Sequence, residues 1–488
     1  MQIDVLDDVG SLARVRENWD EVYASDPEAQ FFLSWGWIAA GVVDTKASWL
    51  VLAARPSEDD PDYVAFFAIR IGTERKEGGF HNEIALGPLR LSDYKGMICK
   101  PEFEDAAIPA FAEHVRKLHW ASMILEGFAA SDRRIGLFLK TFRAEEFTIR
   151  EFESIDKYSG VNNDICPYIK LPNDWDLYLN DYVSANTRQK VKRFLKKVDG
   201  GEFRITHADE DTVRQDLKIL LGFWTTKWGD RKGDRLKSIL KTTHTMLLRS
   251  FEGGSLFLPV LWKEDRPLGA LAFLTDRVKG ALLFHSAGRD ETFTSPPPGF
   301  ILHAYSIRYA IAQGFRTYDF LRGNEPYKYM YGAQEQRIRT IVISTRDGRN
   351  LGGTLDRRSL PYAFQCTAAL HQAGRLADAE DGYRQILEAD PRFSPALYSL
   401  GQVLAARGSH AAAAETFRTL LAVKPRSHKG WFRLAKSLRA LGDTDGAVSC
   451  CRNAVALEPG FHDAAAFLAE LTSQVGGPAL SRDLVDAD

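Results

Sequence analysis

Pro391, Pro425 and Pro459 stand 34 residues apart, and the residues around them keep the same register. Alanine lies twelve positions before each (Ala379, Ala413, Ala447), and Tyr383, Phe417 and Cys451 lie eight before. Gly374, Gly408 and Gly442 repeat at the same interval. Such a period allows few architectures. Each unit is a helix pair that cannot bury its apolar face alone, so successive units must stack. The small residue lets paired helices approach, and the larger one fills the gap between them. Each glycine ends the first helix of its pair. Ala464–Leu471 reads as a capping helix at the end of the stack.

With Leu400-Gly401 and Trp431 also in register, this block resembles the tetratricopeptide repeat (TPR). The resemblance implies a surface that binds a protein or peptide on its concave face, or an array that simply caps a neighbouring domain. At 488 residues the chain is too long for one core, so roughly two to four domains are expected. A net charge of −2 argues against a general nucleic-acid binder, and no DNA partner is expected. Cys99, Cys166, Cys366, Cys450 and Cys451 form no C-x-x-C pair, which points away from a disulfide framework or a metal site and toward a reducing cytoplasm. The start, MQIDVLDDVG, lacks the basic and apolar regions of a secretory leader. Phe31–Val43 is too short for a membrane span and is interrupted by Ser34, so it is expected to be a core helix.

Upstream of the repeats the periodicity is mixed. Phe203–His207 reads as a strand, Glu210–Trp228 and Asp234–Phe251 as helices, and Leu256–Trp262, Leu268–Thr275 and Ala281–Ala287 as successive strands. Gly299–Gln313 reads as a helix stopping at Gly314, Thr317–Leu321 as a strand, Glu325–Tyr331 as a short helix and Arg337–Ser344 as a last strand. In the first 150 residues, Trp49–Ala54, Tyr63–Ile71 and Met123–Gly127 read as strands and Asp105–Leu118 as a helix. Arg346–Pro361, rich in Gly, Arg and Asp, reads as a linker.

The densest polar stretch is Asp319–Gly332, DFLRGNEPYKYMYG, set between two apolar strands. Polar groups at that density are costly to bury without partners and more often line a cleft. This turn resembles the signature of the CelD-type branch of the GNAT acyltransferases, which is related to the FemAB transferases. Asn186–Arg193, Phe223–Trp228 and Ser295-Pro296-Pro297-Pro298-Gly299 resemble that branch as well, and the order of elements matches the GNAT fold. The implied fold class is α+β: tandem GNAT-like domains with mixed sheets flanked by helices, then an all-α TPR solenoid. The expected boundaries are 1–154 for a degenerate first half, 155–345 for the acyltransferase domain, 346–361 for the linker, 362–475 for the repeats with their cap, and 476–488 for a flexible tail.

The resemblance implies an acyl-CoA-dependent N-acyltransferase, with acyl-CoA as co-substrate, no tightly bound cofactor and no metal. The donor's pantetheine arm would slot between Ala281–Ala287 and Thr317–Leu321, touching Ser286 and Ala287. Its pyrophosphate would meet Ser295, Pro298, Gly299 and Phe300, where the Gly299, Phe300 and Ile301 amides open a helix. The prolines depart from the glycine-rich loop of most GNAT enzymes and have no N–H to offer. His285 is the candidate general base, because an imidazole titrates near working pH; a buried structural histidine is the alternative. Asp319 would orient His285 or hold the amine, Tyr327 would protonate the leaving thiolate, and Lys328 would face a phosphate or oxyanion. Arg322 and Glu325 would grip the acceptor, and the bland alternative is an internal ion-pair cluster with Asp319 and Lys328. Asp93 and Tyr94 of Ser92-Asp93-Tyr94 would face the cleft. Trp224 and Trp228, four apart on one helix face, would shape the acceptor pocket or pack in the core.

Ser184–Val198 is a basic amphipathic helix with Val191, Phe194, Leu195 and Val198 as its apolar stripe; a solvated face and a peripheral contact with an anionic membrane are both open. No P-loop, dinucleotide fingerprint or nucleophile elbow is present. The expected acceptor is the amine of a cell-envelope precursor, an amino sugar or a lipid of sphingoid type. The enzyme is expected in the cytoplasm, with the inner face of the membrane as a further site. One alternative is a FemAB-like transferase using aminoacyl-tRNA; it predicts an inserted helical hairpin, which the sequence reading does not find. The other is a non-catalytic TPR scaffold with a degenerate GNAT domain.

Overall fold

The computed structural model describes residues 1–44, 48–76, 79–87 and 91–475; the tail expected at 476–488 lies outside them. Two compact units emerge, one of Met1–Arg70, Ala85–Val115 and Ile124–Ile343, the other of Ile71–Ile84, Arg116–Met123 and the chain from Ser344 on. The strands are β1 (Gln2–Leu6), β2 (Ser48–Arg55), β3 (Ala65–Lys76), β4 (Gly79–Leu86), β5 (Met97–Cys99), β6 (Ser122–Phe128), β7 (Phe147–Phe152) and β8 (Ile165–Lys170). They continue with β9 (Arg204–His207), β10 (Leu256–Phe257), β11 (Pro259–Lys263), β12 (Arg266–Asp276), β13 (Ala281–Arg289), β14 (Thr317–Asp319), β15 (Gln334–Arg337) and β16 (Arg339–Thr345).

These strands form two sheets. The first has the order β1-β2-β3-β4-β6-β16-β7, with β5 on β3; the second has β15-β8-β14-β13-β12-β11-β9, with β10 on β12. The chain therefore crosses back once. β8, the first strand of the second half, lies in its own half's sheet between β14 and β15, while β16, from the end of the second half, returns to the first sheet between β6 and β7. The single last strand expected over Arg337–Ser344 is in fact two, divided at Ile338, one in each sheet. Phe31–Val43 likewise divides: Ser34 is extended (ψ 149°), closing a short turn over Phe31–Leu33 before the helix Trp35–Asp44 begins.

Helices cover both faces of the second sheet. Gly269 on β12 faces the helix Pro298–Ala312, where an added Cβ would meet Pro298 at 3.3 Å. Gly288, paired with Ala270 and so on the opposite face, lies under the helix Val213–Lys232; a Cβ there would stand 2.4 Å from the Leu220 carbonyl oxygen. The helices Val213–Lys232 and Leu236–Glu252, read from sequence as separate elements, are joined by the short turn Gly233–Arg235 into a hairpin. Gly233 makes that turn at φ 49°. The basic helix Ala185–Asp199 is N-capped by Ser184 and buries Val191, Phe194 and Leu195 as its stripe requires.

The C-terminal helices run in pairs, Leu360–Gln372 with Leu376–Ala389, Ser394–Ala406 with His410–Val423 and His428–Ala440 with Thr444–Leu457, closed by His462–Val475. Ala379, Ala413, Ala447, Tyr383, Phe417 and Cys451 are all buried in one core. Gly374, Gly408 and Gly442 take φ of 75°, 80° and 86°, as the end of each first helix demands. The stretch expected as a linker is ordered into the same unit: Leu355 is buried in this core, and Asn82 holds the Asp356 amide through its side-chain oxygen and the Asn350 side chain through its own amide, both at 2.8 Å. Polar composition hid this, because its hydrogen bonds come from residues far away in sequence.

Candidate active site

β13 and β14 are parallel but pair over three positions, Ala281 with Thr317, Leu282 with Tyr318 and Leu283 with Asp319. β13 then continues to Arg289 along β12. The chain after Asp319 turns the other way: Phe320 donates its N–H to the Pro167 carbonyl at 2.9 Å, and Gly323 to that of Ile165 at 2.8 Å. The two strands part at Leu283 and Asp319, and the β14-facing edge of β13 beyond that point meets no strand among the described residues. Just past the parting, β12 and β13 shift register: Phe273 pairs with Phe284 and Ala272 with Ser286, so His285 is the extra residue of a β-bulge. A bulge re-aims the side chain it carries. His285 is half-buried and touches the Ser286 hydroxyl at 3.3 Å.

Burial lowers the His285 pKa, and the nearby Asp93 carboxylate partly opposes that shift. Asp93 is itself pushed up by burial, with His285 the leading opposing charge. The structure thus brings Asp93, from the first half, beside His285, from the second. Asp319 is elsewhere engaged. Both its oxygens accept from the Tyr94 hydroxyl at 2.9 Å, Oδ1 accepts the Leu321 N–H at 2.7 Å, and Oδ2 accepts from Gln336 Nε2 at 3.1 Å. Burial is the main cause that raises its pKa to about 6. A carboxyl raised on folding binds its proton more tightly in the folded chain, so its contribution is favourable below the unfolded value and is lost as pH rises through 6. Wild type should therefore lose about 2 kcal/mol relative to Asp319→Asn between pH 4 and pH 7. Urea melts of both proteins across that range test this, and parallel pH profiles would refute it.

The turn after Asp319 is strained and pinned. Leu321 has φ 56° and Gly323 φ 101°, conformations that persist only where surroundings enforce them. Lys328 supplies that enforcement: its buried ammonium donates to the carbonyls of Phe320 (3.1 Å), Arg322 (2.9 Å) and Gly323 (2.8 Å) and pairs with Glu325 at 2.9 Å. All three of its N–H groups are committed to this turn, which leaves none for an incoming phosphate or oxyanion. Arg322 reaches Glu126 of the first half and, within its own half, donates to the Asn163 carbonyl at 3.0 Å and approaches Asp164. Tyr327 is 37% exposed and packs edgewise near Phe320 and beside His303. Burial of its hydroxyl and the Glu325 charge hold that phenol above its ordinary range, so it stays protonated at neutral pH.

At the mouth of the helix Pro298–Ala312 the expected anion grip is thinner than the sequence implies. Phe300 and Ile301 donate their amides to the Pro297 carbonyl at 3.1 and 3.3 Å, so Gly299 alone of the three keeps its N–H unused among the described residues. Ser295 is exposed and Pro298 buried, while Ser286 is half-buried and Ala287 exposed on β13 past the parting. His303, on the same helix, escaped the sequence reading. It is buried among Phe284, Phe320, Tyr327 and Tyr331, hydrogen-bonded to the Tyr318 hydroxyl at 2.7 Å, and burial drives its pKa down to about 3. Its position on an apolar helix face reads in sequence as core. Trp224 and Trp228 are half-buried and join neither core cluster of the second sheet.

Among the described residues, no helix is long and apolar enough to cross a membrane. Residues 185–329 match the acetyltransferase (GNAT) domain family, and residues 369–428 and 428–461 match tetratricopeptide repeat families. No curated protein matches the chain. Among solved structures it is similar to FemX, at 11% identity over 70% of this chain and 97% of that one, with a TM-score of 0.49. It is also similar to MamA (17%, 24% of this chain and 68% of that one, TM-score 0.24) and to the first TPR domain of human RPAP3 (17%, 24% and 94%, TM-score 0.24). The chain carries a GNAT-type acetyltransferase domain followed by a C-terminal run of tetratricopeptide repeats.

Proposed function

We propose that this protein is an N-acyltransferase of the CelD-type, FemAB-related branch that moves an acyl group from acyl-CoA to the amine of a cell-envelope precursor, an amino sugar or a lipid of sphingoid type. The observation that carries the reading is the parting of β13 and β14 with His285 bulged at its mouth. The pantetheine amides would pair with the open edge of β13 as an added strand does. His285, kept neutral by burial, takes the proton of the attacking amine. The amine nitrogen bonds to the thioester carbon, the C–S bond breaks, and Tyr327 gives its proton to the departing thiolate. Asp93 stabilises the imidazolium formed in between, and Asp319, Tyr94 and the Lys328-pinned turn keep the strands apart. Arg322, Glu325, Trp224 and Trp228 belong to the walls rather than to the proton path. The repeats hold a protein or peptide partner on their concave face, and the enzyme works in the cytoplasm or at the inner face of the membrane.

Incubating the full chain with acyl-CoAs of varied length and candidate amines, and following thiol release, tests the reading. Release with at least one pair is expected. Because the folded pKa of His285 is lowered, kcat/KM should stay level as pH falls from 8 and drop only below its ordinary 6.5. No thiol release with any pair would refute the reading. The spent Phe300 and Ile301 amides favour one rival, a donor held without its pyrophosphate, as in aminoacyl-tRNA-dependent transfer. Transfer from charged tRNA, with none from any coenzyme A thioester, would establish it instead.

A further inference from the structure

The hairpin of Val213–Lys232 and Leu236–Glu252 is two structures end to end. At its base, Leu217, Leu220, Met246 and Leu247 are buried against the second sheet. Beyond Leu220 the apolar pattern continues but the core does not. Trp224, Trp228, Leu236, Ile239 and Leu240 lie on the outer half, each half-exposed. That outer half also carries Lys227, Arg231, Lys232, Arg235, Lys237 and Lys241 against only Asp230 and Asp234, a local excess of four positive charges in a chain whose net charge is −2. All six cations are exposed and none forms an ion pair within 4.0 Å among the described residues, although the charges of Lys227 and Arg231 reach Glu291 and Asp156. Lys227 and Arg231 instead lie over the Trp228 ring, at 5.2 and 5.1 Å.

We propose that the tip of this hairpin is an interfacial docking surface for an anionic lipid bilayer. The tryptophans and aliphatic side chains sit at the boundary of headgroups and acyl chains, and the cations meet anionic headgroups around them. Charge complementarity sets the sign of the surface. The aliphatic residues set its class: Leu236, Ile239 and Leu240 offer a nucleic acid nothing to stack on, and Trp228 has its ring occupied by cations where a base would need it. The surface shares Trp224 and Trp228 with the walls assigned to the acceptor but holds none of the groups assigned to proton transfer, so vesicle binding measured without donor or acceptor tests it apart from the acyl-transfer reading.

Flotation of the full chain with vesicles, in the absence of any acyl donor, tests it. The protein should float with phosphatidylcholine vesicles containing phosphatidylglycerol, not with phosphatidylcholine alone. Its tryptophan emission should shift to the blue on binding, and the binding should weaken as salt screens the headgroups. Reversing Arg231→Glu, Lys237→Glu and Lys241→Glu together should weaken binding about a hundredfold or more, at about fivefold per charge. These side chains are exposed, so the melting temperature should hold; if the triple variant melts early, Lys237→Glu with Lys241→Glu alone should still lose about 25-fold. Four results would overturn the proposal: no flotation by wild type, equal binding by folded reversal variants, loss of binding with Lys192→Glu and Lys196→Glu on the other basic helix but not with the hairpin reversals, or displacement from vesicles by equimolar-charge tRNA, which would make this a nucleic-acid surface.

Discussion

Replacing His285 by alanine should lower kcat/KM for acyl transfer by about 10²- to 10⁴-fold, the span that a positioned general base supplies, while the fold survives. The side chain is half-buried and its hydrogen bond, to the Ser286 hydroxyl at 3.3 Å, is weak, so its removal breaks no strong bond of the fold. The acid limb of the pH profile should vanish with it, because the residual reaction no longer waits on that imidazole. Asp93→Asn separates positioning from chemistry. It removes the charge that holds the His285 pKa up against burial, so the acid limb should move to lower pH with activity only partly lost. A His285→Ala enzyme with full activity and an unchanged profile would place the base elsewhere, and His303 would then be the next residue to replace.

The largest effect on stability is expected at Arg134, which is 2% exposed. It grips Asp26 in a fork, Nη1 to Oδ2 at 3.0 Å and Nη2 to Oδ1 at 3.1 Å, and Glu104 through Nε at 2.7 Å. Asp26 also accepts the Cys99 and Glu28 amides at 2.9 Å, fixing the loop that follows the helix Arg16–Ser25. Substituting Arg134→Leu leaves a fully buried carboxylate without its counter-ion, which costs about 3–5 kcal/mol. Urea denaturation should show a lower midpoint. A loss under about 1 kcal/mol would mean that the amides alone satisfy Asp26.

The repeats were legible because their signal is local and iterated: Gly401 of one helix lies against Phe417 of its pair, where a Cβ would stand 2.5 Å from the ring, and the next pair keeps the same register. The polar turn was legible as a cluster, and Asp319 and Tyr318 do alternate faces as strand geometry requires. What escaped reading was non-local. β8 contains Pro167 and Cys166 and borders no periodic neighbour, so nothing in ICPYIK announces a strand inserted beside β14. The spent amides at Phe300 and Ile301 follow from where the Pro297 carbonyl points, which composition does not specify. Lys328 looks like a ligand in sequence and is a clasp on three carbonyls in space.

The return of β16 to the first sheet sets what engineering can do with this chain. A fragment trimmed to the family-matched span would leave β14 bare on the side where β8 should lie, and with it the aspartate at the parting. Grafting the first half onto a foreign homologue would leave a gap between β6 and β7 unless β16 travelled along. The first half is therefore tied to the second by a shared strand as well as by the Tyr94–Asp319 bond, and neither can be redesigned as a free-standing domain.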